Sequence, residues 1–166
     1  MRGALAGVAG TAAMDALWYY RYRRGGGQSG FVDWETSAGL QGWADAPALA
    51  RFGRLVIERT LHRDLPARQA RVTNNVVHWS TGAGWGTVLG TVQGVLGPPT
   101  ARYGLVLGAA VWLQSYAVLA PAKLYRPIWD YDAKTLGKDL SAHLLYGLTT
   151  AVALRLSNRW SGRRHD

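Results

Sequence analysis

An aspartate and two histidines carry most of the chemistry available to this sequence. Asp15 closes the series Gly3, Gly7, Thr11, Asp15, spaced by four residues. His78 opens the series His78, Gly82, Gly86, and His143 opens His143, Gly147, Ala151. The stretches HWSTG at 78–82 and HLLYG at 143–147 form a short internal echo. Residues four apart are neighbours on a helix surface. Each series therefore places an ionisable side chain on the same face as small residues. Two neutral imidazoles and a carboxylate can bind a divalent metal. The same set can relay protons, because histidine titrates near neutral pH. Two histidines on separate helices can also ligate a haem. The plainer alternative is a hydrogen-bonded polar cluster that fixes helix register and binds no cofactor. No pattern marks a catalytic nucleophile. Glu35, in FVDWETSAGLQGW, is an aromatic-flanked acid that either folds back toward the cluster or stays a solvated or capping carboxylate.

The elements that must position these residues read as four spanning helices, at about 3–20, 75–96, 103–120 and 140–156. Each is near the ~20 residues needed to cross a hydrocarbon core of about 30 Å. None carries lysine or arginine in its middle. A water-soluble bundle would need charged outer faces, which the second and third segments lack. His78 and His143 lie near the starts of two helices that run the same way. Asp15 lies near the end of one that runs the opposite way. All three then fall in one leaflet, on the side of Lys123 and Tyr125.

The same helices carry glycine registers: Gly3 and Gly7; Gly82, Gly86, Gly90 and Gly94; Gly104 and Gly108; and Gly147, followed by Ala151. A glycine inside a soluble helix costs roughly 1 kcal/mol against alanine. In lipid, helices associate through close van der Waals packing, which small residues permit. Steps of four residues drift by about 40° each, so adjacent members of a register share one neighbour while His78 and Gly94 do not. Trp18, Tyr19, Tyr20, Trp79, Tyr103 and Trp160 mark helix ends, where amphipathic rings favour the headgroup level. Trp85 and Trp112 sit deeper and read as packing residues.

Between the helices, GPP at 97–99 makes a tight hairpin, and Pro121 and Pro127 end the third helix. The loop 21–73 contains the flexible GGGQSG segment and then a basic amphipathic helix over about 46–62. Leu49, Phe52, Leu55 and Val56 mark its apolar face. That helix either lies on the membrane surface or packs on the end of the bundle. The first helix lacks the pattern of a cleaved signal and reads as a retained span.

The 166 residues carry a net charge of +9, with 19 basic and 10 acidic side chains. The charges border the apolar stretches and avoid their interiors. That distribution favours a membrane surface with anionic lipids over nucleic acid, which is not expected as a partner. The loop 21–73 and the loop after the third helix hold thirteen of the basic residues, which places both loops inside and both termini outside. Arg155, Arg159, Arg163 and Arg164 run against that asymmetry. Cysteine is absent, which excludes disulfides and thiolate chemistry.

The glycine-rich first helix with Met14, His78-x-x-x-Gly82, and Pro121 followed by His143-x-x-Tyr146-Gly147 resemble the YagU-like family of small bacterial inner-membrane proteins. The resemblance touches all four helices and implies a multi-pass inner-membrane protein. It brings no catalytic residues, and the long arginine-rich loop departs from it. The expected protein is all-α, a single four-helix transmembrane domain over 1–166. Its expected function is non-enzymatic: a bundle that assembles with itself or a larger membrane complex, or that passes protons or a small solute. The competing expectation is a metal- or haem-dependent membrane enzyme or redox protein built on Asp15, His78 and His143.

Overall fold

The computed structural model describes residues 1–162, apart from the surroundings of residues 94, 96 and 160–162. Gly94, Trp160, Arg163 and Arg164 thus lie outside what is described. The described chain is all-helical, without strands. The helices are α1 (Arg2–Arg24), α2 (Phe31–Glu35), α3 (Ala48–Leu61), α4 (Ala70–Leu96), α5 (Ala101–Leu119) and α6 (Ala133–Gly162), with short 3-10 turns at Ala67–Gln69 and Ile128–Asp130.

The long helices coincide with the four expected segments, but three of them run on. α1 continues past its aromatic end to Arg24, α4 begins at Ala70, and α6 extends from Ala133 to Gly162. Charged and polar side chains do not stop a helix; a change in backbone chemistry does. The GPP turn ends α4, with Gly97 at φ +85°, a left-handed conformation that glycine adopts without steric cost. Among the described residues, no helix is both long and apolar enough to cross a membrane. The sequence reading expected four such helices. The difference comes from the residues spent on packing: glycines, threonines and aromatics lower the average of a helix whichever way they face.

Close packing divides the chain into two compact units. The first comprises Met1–Trp18, Thr81–Gln114 and the chain from Asp132; the second comprises Tyr19–Ser80 and Ser115–Tyr131.

The first unit is organised by glycine. A Cβ added at Gly3 would stand 2.6 Å from the Gly86 carbonyl oxygen, and one at Gly7 would meet the Gly82 carbonyl. Gly90 faces Gly3 in the same way, at 3.0 Å from its Cα. Thus α1 and α4 touch backbone to backbone through three successive members of the α4 register. Gly104 and Gly108 of α5 do the same against Gly147, His143 and Leu144 of α6. Gly10, which falls outside the four-residue steps, meets Tyr146 and Thr150 of α6. The apolar core that these approaches enclose is Ala6, Leu89, Leu107, Val111, Tyr146, Ala151 and Leu154, with Trp85 packed on it.

In the second unit α3 meets α4 through Gly53, where a Cβ would lie 2.5 Å from Val77 Cγ2 and 3.5 Å from Thr73. The buried residues of α3 are the small ones, Ala50 and Gly53, and the large apolar residues do not form the buried face. Val56 and Leu61 are exposed. The helix packs on a neighbour and presents Val56, Arg59 and Leu61 outward. The long loop is not slack. Arg71 donates to Thr36 O and Oγ1, both at 2.9 Å, Asn74 donates to Ser37 Oγ, and Trp43 Nε1 donates to Leu65 O.

Candidate functional site

The inner face of α1 and α6 in the first unit is polar where the glycines leave room. Thr11 is buried, and its hydroxyl donates to the Gly7 carbonyl one turn earlier, at 3.0 Å. Thr150 is buried and donates to Tyr146 O at 2.8 Å. Tyr146, 2% exposed, crosses to α4 and donates its hydroxyl to Gly82 O at 2.6 Å. A Cβ at Gly82 would meet Thr11 Oγ1 of α1, whereas at 3.6 Å from Tyr146 it would make only ordinary contact. The register glycine thus admits the close approach of α1, and its carbonyl takes the interhelical hydrogen bond from α6. A buried hydroxyl left without a partner would cost about 1–3 kcal/mol, and all three of these are satisfied.

Asp15 lies one turn beyond Thr11 on α1 and is only 5% exposed. His143 lies one turn before Tyr146 on α6. Its Nδ1 stands 2.9 Å from the Asp139 carbonyl oxygen and 3.4 Å from Asp139 Oδ1. A carbonyl oxygen only accepts, so in this contact Nδ1 is the nitrogen that donates. The other carboxylate oxygen, Asp139 Oδ2, accepts from Trp112 Nε1 of α5 at 3.1 Å. Asp139 therefore joins α5 to α6 and fixes the orientation of the imidazole. Trp112, expected as plain packing, is a hydrogen-bond donor to this carboxylate. With Nδ1 so engaged, His143 can serve as a proton acceptor or a ligand only through Nε2.

Of the three residues expected to gather, Asp15 and His143 belong to the first unit and His78 to the second. His78 is half-buried on α4, with its ring edge-on to Trp79 at 6.1 Å. Among the described residues, no group of three or more histidine, cysteine, aspartate or glutamate side chains is placed to hold a metal ion. Glu35 is not the solvated carboxylate that its loop position suggested: both of its oxygens are buried in the second unit. The sequence reading missed Asp139, Tyr146 as a donor, and Thr150. The spacings that betray them are Asp139 four residues before His143, and Thr150 four residues after Tyr146.

No protein family, curated protein or solved structure matches this chain.

Proposed function

We propose that the chain is a membrane-embedded, non-enzymatic helical bundle that assembles with itself or with a larger membrane complex. The observation that carries this reading is the outer face of the first unit. From Leu5 to Ala16, the exposed residues of α1 are leucine, valine and alanine. On α4 from Gly84 to Val95 they are Gly84, Thr87, Val88, Thr91, Val92 and Val95. On α5 from Tyr103 to Gln114 they are Leu105, Val106 and Leu113. The charged residue within these stretches, Asp15, is buried. Both exposed threonines return their hydroxyls to their own helix, Thr87 to Ala83 O and Thr91 to Thr87 O. Contiguous apolar surface of this kind marks an interaction or membrane face. A backbone satisfied within helices is what a bilayer requires.

Small residues at the α1–α4, α1–α6 and α5–α6 approaches suit association in lipid, where close approach replaces hydrophobic burial as the driving force. The exposed Val56, Arg59, Leu61 and Arg63 of α3 and its C-terminal flank suit an anionic headgroup layer. The resemblance to YagU-like inner-membrane proteins points the same way.

Membrane fractionation followed by alkaline extraction tests the reading. Retention of the chain in the extracted membranes is the expected result. Release into the soluble fraction overturns it.

A proton path is the second reading, and the half-buried Asp139–His143 pair favours it. Liposomes holding the chain and an internal pH dye should then relax an imposed pH step faster than empty ones. His143→Leu should remove most of the difference. Equal relaxation with wild-type and variant protein discards this reading and leaves the assembly reading in place.

A further inference from the structure

Two of the arginines that run against the loop charge asymmetry, Arg155 and Arg159, line a cavity of about 610 Å³ in the first unit. They sit four residues apart on α6 with Asn158 beside them. The opposite wall is Gln93, near the end of α4, and the Gly97-Pro98-Pro99 turn. Among the described residues, no acidic side chain lines this cavity. Among the described residues, neither guanidinium forms an ion pair.

Asn158 Nδ2 donates to Gln93 Oε1 at 3.0 Å. That bond uses one lone pair of Gln93 Oε1 and does not involve its Nε2 group, a pure donor. A second cavity of about 420 Å³ shares Gln93 and Asn158 and adds Arg2, Thr87 and Thr91, again without an acidic side chain. Among the described residues, each charged side chain lining the two cavities is positive. α4 and α6 both end near here, and their terminal carbonyls favour cations, which helps to hold guanidiniums at this end. Arginine presents a planar fork of donors that matches phosphate oxygens. The set is therefore two forks, one amide donor and no competing acid.

We propose that this cavity binds a phosphate-bearing anion, its phosphate seated between Arg155 and Arg159 with Gln93 Nε2 as a further donor. The phosphate comes either from a dissolved phosphate compound or from an anionic lipid headgroup. The proposal does not rest on the membrane reading, since the dissolved source needs no bilayer.

The test titrates the purified full chain with inorganic phosphate. In a second arm, the chain is placed in phosphatidylcholine vesicles with and without phosphatidylglycerol, and the phosphorus NMR linewidth is followed in both arms. Binding of inorganic phosphate assigns the dissolved source. Binding that appears only with phosphatidylglycerol assigns the headgroup. In whichever arm binds, Arg155→Ala/Arg159→Ala is expected to weaken affinity about tenfold or more, because charge-assisted bidentate contacts are the strong ones. Gln93→Leu, which removes a donor and no charge, is expected to weaken it about threefold, as for one neutral hydrogen bond. Arg68→Ala/Lys134→Ala, which removes equal charge at exposed positions away from both cavities, should leave affinity unchanged. Helical content by circular dichroism should be the same in all variants; if the double alanine variant loses it, the Gln93→Leu comparison decides. The proposal is overturned by absence of binding in both arms. It is equally overturned if wild type and Arg155→Ala/Arg159→Ala bind alike, or if the Arg68→Ala/Lys134→Ala control loses as much.

Discussion

Gly84 and Gly86 lie on opposite sides of α4, two residues apart, and their substitutions should move stability in opposite directions. A Cβ at Gly86 would stand 2.6 Å from the Gly7 backbone nitrogen, and backbone on a packed helix cannot step aside. Gly84 has no atom within 4 Å of the same position. Gly86→Leu should therefore force α1 away from α4 and cost about 3 kcal/mol or more, the upper end of overpacking effects. Gly84→Ala should gain up to about 1 kcal/mol from helix propensity alone. Thermal loss of helicity in one detergent measures both. A shift of the same sign for the two would show that the register is not where the helices touch. The four-residue spacing made Gly3, Gly7, Gly82, Gly86 and Gly90 legible in the sequence, because spacing alone fixes a shared helix face. Gly10 and Thr150 were not legible. Their importance depends on which second helix sits beside α1, and nothing local to residue 10 encodes that. Asp139 stayed hidden for a similar reason: its role needs both His143 on its own helix and Trp112 on another.

At the level of elements, helix starts and stops were legible where proline and glycine set them, as at the 97–99 turn. They were misjudged where a helix runs on through polar sequence, as α6 does before residue 140 and after 156. The end of α3 shows how a side chain takes over from backbone signals. His62 follows the helix in a left-handed conformation, φ 51°, and the chain turns back so that Leu65 N–H reaches Glu58 Oε1 at 2.7 Å. Arg54 Nε reaches the same oxygen at 2.8 Å. Arg54 first, and then the Leu65 amide, hold the Glu58 carboxyl below its ordinary value of 4.5. Because the folded value is depressed, the bond's contribution is fully present above 4.5 and is lost as pH falls through the lower folded value. Amide exchange corrected for intrinsic rate should show protection at Leu65 steady down to that range and falling below it. Glu58→Gln should lower the protection at neutral pH and abolish its pH dependence. A wild-type profile that stays flat under acid would mean that the turn is held by something other than this carboxylate.

For the whole molecule, the decisive question is what solvent meets the outer face of the first unit, and average hydropathy cannot answer it. An average weights Gly86, buried against the α1 backbone, as heavily as the exposed Val88. Val88 of α4 and Val56 of α3 provide a matched pair, 47% and 48% exposed. Burial therefore cannot explain a difference between them. If the outer face meets hydrocarbon, an arginine near the middle of α4 costs roughly 2.5–3.5 kcal/mol on insertion scales. An arginine on α3, beside Arg59, then joins a basic surface and costs nothing comparable. If water bathes both sites, each substitution falls within about 0.5 kcal/mol, the usual range for exposed positions. Val88→Arg should accordingly reduce the membrane-inserted fraction and lower thermal stability in lipid, with Val56→Arg unchanged on both measures. Two silent substitutions would put the apolar face in contact with protein or water and remove the membrane from the proposed function. The glycine contacts, the hydroxyl ladder and the arginine-lined cavity would remain as they are, because each is built from distances within the first unit and none from the identity of the solvent.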